Sequence, residues 1–314
     1  MKTLVTHNGA IHGDDLFACA TLSLYLEKKG EEYKVIRSRD KDTIEKGDYV
    51  FDVGGVYDPE KNRFDHHQKE TSGARENGVL YASFGLVWKH FGMELCDGDH
   101  DVWQKIDQDI VSPIDATDNG MDIATSKIKN VREYNATRTF LIFTPTWQED
   151  QASIDDIFRE EVKNVKRILK REIDTVKSDV LGRRIILEAY NNSKDKRIIE
   201  LENNFPRYLY QETLSSLPEP IYMICQSRFS KAWKVEAVQG APYTLKSRKP
   251  FPEAWRGRLG ENQGLAEVTG VSDAVFCHRD GFLLETKTKE SAFKLAEISL
   301  KTKTKKSIWH LLTK

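Results

Sequence analysis

Residues 2–30, KTLVTHNGAIHGDDLFACATLSLYLEKKG, decide the reading of the fold. Lys2 to Thr6 form a short apolar run of strand length. From Asp14 the apolar spacing becomes helical and continues to Gly30, a residue suited to ending a helix. Between them, THNGAIHGDD is a loop with the ligand-capable side chains His7, His12, Asp14 and Asp15. Downstream, EYKVIRS and DYVFDVGG read as two further strands, giving a β-α-β-β opening. Strands separated by helices favour a mostly parallel sheet, whose loops gather at the carboxyl ends of the strands. His7 and Asp52 fall at such ends.

Working outward, VLYASFGLVWKHFG and DVWQKIDQDIV have helical periodicity, and IDATDNG reads as a loop or turn. A long amphipathic helix is expected from about 150 to 180, carried by Ile154, Ile157, Phe158, Val162, Val165, Ile168, Leu169, Ile173 and Val176. Beyond it, RRIILEAY, KRIIELE, PIYMICQSR and KAWKVEAVQG read as strands. Helices are expected near YLYQETLSSL, GLAEVTG and KESAFKLAEISL. The expected architecture is α/β: a first domain over 1–150 with a mostly parallel sheet, a long connecting helix over 151–181, and a smaller α+β, largely antiparallel domain over 182–314. The basic KTKTKK at 301–306 reads as a solvated helix end.

The 314 residues carry a formal charge of −1, so any nucleic-acid contact has to rest on a local patch. An apolar content of 39% argues for packed cores and against disorder. Cys19, Cys96, Cys225 and Cys277 form no paired motif, which argues against a disulfide framework or a cysteine zinc site. With no apparent leader and no apolar run of membrane-spanning length, the chain is expected to be soluble and cytoplasmic.

The chemistry concentrates in four clusters: His7, His12, Asp14 and Asp15; Asp52; Asp65, His66 and His67 in FDHHQKE; and Asp115 with Asp118. Histidine and aspartate without cysteine suit Mn²⁺, Mg²⁺ or Fe²⁺, with zinc also open. The spacing H-x4-H-x-D lets a strand-to-helix loop wrap its side chains around one point, with Asp14 favoured by the helix dipole. A carboxylate fixed at a strand end, such as Asp52, can bridge two cations about 3.5–4 Å apart. Each cluster alone has a plain structural reading as caps, turns or a surface histidine pair. Four such clusters at strand ends of one domain favour a metal centre.

THNGAIHGDD, DVGGVYDPEKNRFDHHQ and DATDNG closely resemble the Myg-type family of metal-dependent hydrolases (UPF0160), within the DHH phosphoesterase superfamily. TPTW, SRKPFPEAWRG and VFCHRDGF extend the resemblance over nearly the whole chain. It implies a DHH-type amino-terminal domain and two divalent ions, usually manganese, with magnesium as alternative. His7, His12 and Asp52 would hold one ion; Asp14, Asp52, His66 and Asp118 would hold the other. Asp118 is preferred to Asp115 because D-N-G is similar to the superfamily's D-T-G. His67 would act beside the substrate phosphate rather than as a ligand, Asp65 would orient the histidines, and Asp15 would cap or support.

Arg256, Arg258 and His278 lie in motif-matching stretches and are candidate substrate contacts, with Phe251, Trp255 and Lys246 to Lys249 as a stacking and phosphate surface. Arg279 and Asp280 stand where the family has small residues. The implied activity is 3′-to-5′ exonucleolytic cleavage of RNA or short single-stranded oligonucleotides, by a chain expected to form a homodimer. A phosphoesterase of small nucleotides or pyrophosphate-like compounds is the alternative, and a non-catalytic metal-dependent nucleic-acid-binding protein is the alternative of another class.

Overall fold

The computed structural model describes residues 1–302 apart from 70–71, 132–133, 243, 245 and 261. Most of the KTKTKK tract therefore lies outside the described residues. Two compact units emerge, Met1–Ser178 and Asp179–Lys314.

The first unit opens with β1 (Lys2–Thr6), α1 (Gly13–Lys28), β2 (Tyr33–Arg37), α2 (Lys41–Lys46) and β3 (Tyr49–Phe51). A short hairpin of β4 (Tyr57–Asp58) and β5 (Arg63–Phe64) follows. The sheet order is β2-β1-β3-β5-β4. Every pairing is parallel except β4 with β5. Leu4, Val5, Val50 and Phe51 are buried on its strands, and α1 is buried on nearly all sides, which explains why its sequence is apolar around the whole circumference. Gly30 ends α1 in the left-handed conformation, φ +70°, and its N–H bonds back to Glu27.

α3 (Ser83–Leu95), α4 (His100–Ile106), α5 (Ser112–Asp118) and α6 (Ala136–Leu141) complete the unit with the first part of α7 (Ile154–Asn192). A π-helical turn, Asp107–Val111, joins α4 to α5. Two expectations are corrected. IDATDNG was read as a loop because aspartate, asparagine and glycine favour turns, yet its first residues finish α5, with Ile114, Asp115 and Ala116 buried; only Asn119 and Gly120 turn. RRIILEAY has the pattern of a strand, yet it lies inside α7, which runs past the expected end near 180 to Asn192. Its paired isoleucines are strand-like locally, but Ile186 packs with Ile199, Leu209 and Met223 from a helical position, so tertiary burial overrides the β propensity.

The second unit holds β6 (Ile198–Leu201), α8 (Arg207–Ser215), β7 (Tyr222–Gln226), β8 (Trp233–Ala237), α9 (Leu265–Thr269), β9 (Ala274–Cys277), β10 (Leu283–Thr286) and α10 (Lys289–Lys301). Its sheet runs β6-β7-β8-β10-β9, and only β6 with β7 is parallel. Phe251 and Trp255 belong to its core. Phe251 stacks on Tyr222 at 5.0 Å and is fully buried, so these two aromatics offer no surface for stacking bases. All four cysteines are buried and free. Among the described residues no helix is long and apolar enough to cross a membrane.

Candidate metal centre

Parallel strands deliver the site. His7 follows β1, Asp52 follows β3 and Asp65 follows β5, so three adjacent strands end in ligand-bearing residues on one edge of the sheet. Asp14 and Asp15 come from the first turn of α1, and Asp118 ends α5. Asp52 has φ +55°, a left-handed conformation that costs a non-glycine residue free energy and persists only where surrounding structure imposes it. Gly54 at φ +98° and Gly55 at φ +70° complete this turn, and the Gly55 N–H donates to Asp65 Oδ2 at 2.5 Å.

Asp52 is the hub. Its Oδ2 lies 3.0 Å from His7 Nε2, and its Oδ1 lies 3.4 Å from His66 Nε2 and 3.4 Å from His67 Nδ1. Ser83 donates to Oδ1 at 3.4 Å. His66 Nε2 is 3.3 Å from Asp118 Oδ2 and 3.9 Å from Asp14 Oδ2. Three donor groups have atoms within 4.8 Å of one another: His7, His12 and Asp52; Asp52, His66 and His67; His12, Asp14 and Asp118. Asp52 belongs to two of these groups, as does the exposed His12.

The buried polar atoms show best how well this donor set fits a cation. His7 Nε2, His66 Nε2, both Asp14 oxygens, Asp15 Oδ2 and Asp52 Oδ2 are buried with no hydrogen-bond partner among the described residues. Buried polar atoms are ordinarily satisfied, so six orphans converging on one spot need an explanation. The His7 Nδ1 lies 3.1 Å from the Asn8 carbonyl, an acceptor only, so Nδ1 carries the proton. Nε2 of the neutral ring then turns its lone pair toward the Asp52 carboxylate. That pairing is repulsive unless Nε2 is protonated or a cation lies between them.

Electrostatics agree. Burial pushes the Asp14 carboxyl well above the usual carboxylate range, and the Asp52, Asp118 and Asp15 charges push it further. Burial also raises Asp15, to about 8, against the opposing pull of His7. Burial works against ionised Asp52 too, but the close His66 and His7 imidazoles outweigh it and hold this carboxyl well below its ordinary value. Burial lowers His7 and His66, yet contact with Asp52 leaves both raised. Concentrated carboxylates that resist ionisation without a counter-ion, with imidazoles and no sulfur, fit hard or borderline divalent cations.

Around this centre the remaining candidates take distinct places. The Asp65 Oδ1 accepts from the His67 backbone N–H at 3.1 Å and from His67 Nδ1 at 2.8 Å, which fixes that ring's tautomer and orientation while the side chain stays 60% exposed. Asp15 accepts from the His12 N–H at 3.1 Å and sits 3.4 Å from His7 Nε2. Asp115 faces elsewhere: Arg75 donates to it at 2.7 Å and the Gly85 N–H at 2.9 Å. A Cβ at Gly85 would lie 1.8 Å from Asp115 Oδ2.

In the second unit, Arg256 donates to the Phe251 carbonyl, and Arg258 donates to those of Ala254 and Gln263. His278 Nδ1 accepts the Asp280 N–H. Arg248 and Lys249 likewise donate to main-chain carbonyls. Sequence reading passed over Arg37. Buried at the end of β2, it donates to the carbonyls of Gly9 and Ala10, pairs with Asp155 at 2.8 Å and covers the Phe158 ring at 4.6 Å. It thereby shapes the loop carrying His7 and His12. The available signal was its position, a charged residue ending a parallel strand beside β1.

The family model described as "Uncharacterised protein family (UPF0160)" matches residues 3–300. The human protein named MYG1 exonuclease is 29% identical over 325 residues, covering 94% of this chain and 85% of its own. The Dictyostelium discoideum MYG1 protein is 30% identical over 319 residues, covering 94% of this chain and 95% of its own. Among solved structures, RecJ from Thermus thermophilus in complex with Mn²⁺ gives 12% identity and a TM-score of 0.26, over 96% of this chain and 52% of that one. An exopolyphosphatase-related protein from Bacteroides fragilis gives 12% and 0.23, over 95% and 91%. The family match takes in every strand end and helix that builds the centre, and the chain belongs to the uncharacterised protein family UPF0160.

Proposed function

We propose that this chain is a divalent-metal-dependent phosphodiesterase that removes nucleotides from the 3′ end of RNA or short single-stranded oligonucleotides. The observation that carries the reading is the set of six orphaned buried atoms around Asp52. The exonuclease name of its relatives supports the same class.

His7, His12 and Asp52 would hold one ion, and Asp14, Asp52, His66 and Asp118 the second, with Asp52 common to both. Two such ions, manganese first and magnesium second, would lower the pKa of a water and neutralise charge on the phosphoryl oxygens. The protein's own part is positional and acid–base. Asp65 holds His67 Nδ1–H, so that Nε2 faces outward and, in the protonated ring, would donate a proton or hydrogen bond to a phosphoryl or leaving oxygen. Arg37 keeps the His7–His12 loop in place through two backbone carbonyls. The left-handed Asp52 backbone is held ready by the Ser83 and histidine contacts, so the ligands need little rearrangement on binding.

The test uses purified protein with Mn²⁺ and a 5′-labelled oligoribonucleotide. Stepwise shortening of the labelled strand, with pyrophosphate and mononucleotides left intact, is the expected result. Phosphate release from pyrophosphate alone would replace this reading by the small-substrate one.

A further inference from the structure

Beside the metal centre lies a cavity of about 640 Å³ that the chemistry above does not use. Its apolar wall includes Phe17, Ile114, Ile123, Tyr134, Phe140 and Ile168. Two helices tie it to the centre. Phe17 lies three residues beyond Asp14 on α1, a rise of about 4.5 Å, and Ile114 lies four residues before Asp118 on α5, a rise of about 6 Å. Thr137, also lining the cavity, packs so tightly on the start of α1 that a Cβ at Gly13 would come within 2.6 Å of its methyl.

The wall chemistry selects an occupant. Phe17 meets Phe140 edge-on at 5.8 Å, and both are buried, so the floor is aromatic and rigid. Tyr134 is 62% exposed and Ile168 44% exposed, both more open than large apolar side chains ordinarily are. Two carboxylates reach the lining, Asp109, which pairs with Lys105 at 2.8 Å, and Glu172. Both can accept hydrogen bonds from the amino group of a heteroaromatic base, and Glu172 would repel a phosphate group. Volume, aromatic floor and carboxylate acceptors together describe a pocket for a neutral planar ring carrying N–H donors, within the size range of small-ligand sites.

We infer that this cavity binds the nucleobase of the 3′-terminal nucleotide, holding the adjoining phosphodiester against the metal centre. The inference rests on the proposed phosphodiesterase reading and assigns that site its substrate class. Base binding itself requires no turnover, so the two can fail separately.

The first measurement is equilibrium dialysis of adenosine against the metal-free protein, comparing wild type with Tyr134→Ala and Ile168→Glu. Both positions are exposed, so the variants keep their fold. Stacking on aromatic side chains predicts a loss of roughly tenfold in adenosine affinity. No adenosine binding by the wild type, or equal binding by all three proteins, overturns the pocket.

The second compares cleavage of ApA with the same dinucleotide lacking its 3′ base. The wild type should favour ApA by about tenfold or more, while both variants lose the preference and retain the abasic rate. Equal rates for the two dinucleotides in wild type overturn the inference and leave the phosphodiesterase reading standing. Adenosine binding that falls in Tyr134→Ala, with neither dinucleotide cut, supports the pocket and removes the activity.

Discussion

The two units use their charged residues in opposite ways. In the first, His7, Asp14, Asp52 and His66 carry buried polar atoms that no hydrogen bond among the described residues satisfies. In the second, Arg248, Arg256, Arg258 and His278, all in stretches that sequence reading marked for substrate, spend hydrogen bonds on nearby main-chain groups. A buried acceptor left unpaired costs stability, and folding tolerates it where a ligand completes it. An arginine bonded to carbonyls stabilises a loop whether or not substrate arrives. Motif membership alone does not separate these roles; the hydrogen-bond accounting does.

The largest expected effect breaks the first half of this contrast. Asp52→Asn should lower phosphodiester hydrolysis on the order of a thousandfold or more, and metal analysis should find less bound manganese than in wild type. Wild-type turnover in this variant would remove Asp52 from the centre and overturn the ligand assignment. His67→Ala should slow turnover roughly a hundredfold while the metal content stays at the wild-type level. Loss of metal there would make His67 a ligand. Asp65→Asn, which loosens the same ring without removing it, should cost about tenfold.

Chelation sharpens the contrast through pH. Asp14 and Asp15 are raised by folding, so the metal-free folded state binds more protons than the unfolded chain, and its stability falls as pH rises from about 4 to about 8. His7 and His66 are also raised. Their contribution is complete below about 6.5 and is lost as pH climbs through their folded values. Asp52, held low, acts in the opposite sense, adding stability above about pH 4 and losing it in acid. Thermal melts in chelator should therefore show a midpoint that declines from about pH 5 to about pH 8. Added Mn²⁺ should flatten or reverse the decline, because the deprotonated groups become ligands. A chelated midpoint that rises across this window would contradict the proton accounting.

The smallest effect concerns the second unit. Arg258→Ala removes bonds to the Ala254 and Gln263 carbonyls and should cost about 1 kcal/mol of stability, read by denaturant unfolding, with metal content unchanged. A large activity loss at unaltered stability would instead give this side chain a substrate role.

The sequence by itself determined much of the centre. Ligand-capable residues at strand ends, and a strand–loop–helix opening, were visible because β and α periodicities are local and polar residues interrupt them sharply. Gly30, the helices α8 and α10 and the strands β6, β7 and β8 were legible for the same reason, whereas β9 and β10 were not.

Tertiary structure decided the rest. Asp115 and Asp118 are alike in sequence, three residues apart, and only packing sends one to Arg75 and the other to His66. RRIILEAY became helix because Ile186 found a buried helical position, and Phe251 and Trp255 became core because Phe251 stacks on Tyr222 and on Trp255. Arg37 had no sequence signal beyond its place at a strand end; its meaning came from the carbonyls of Gly9 and Ala10 that folding brings to it. Side-chain chemistry is written in the chain, but whether a polar atom is satisfied or left open depends on neighbours that are distant in sequence.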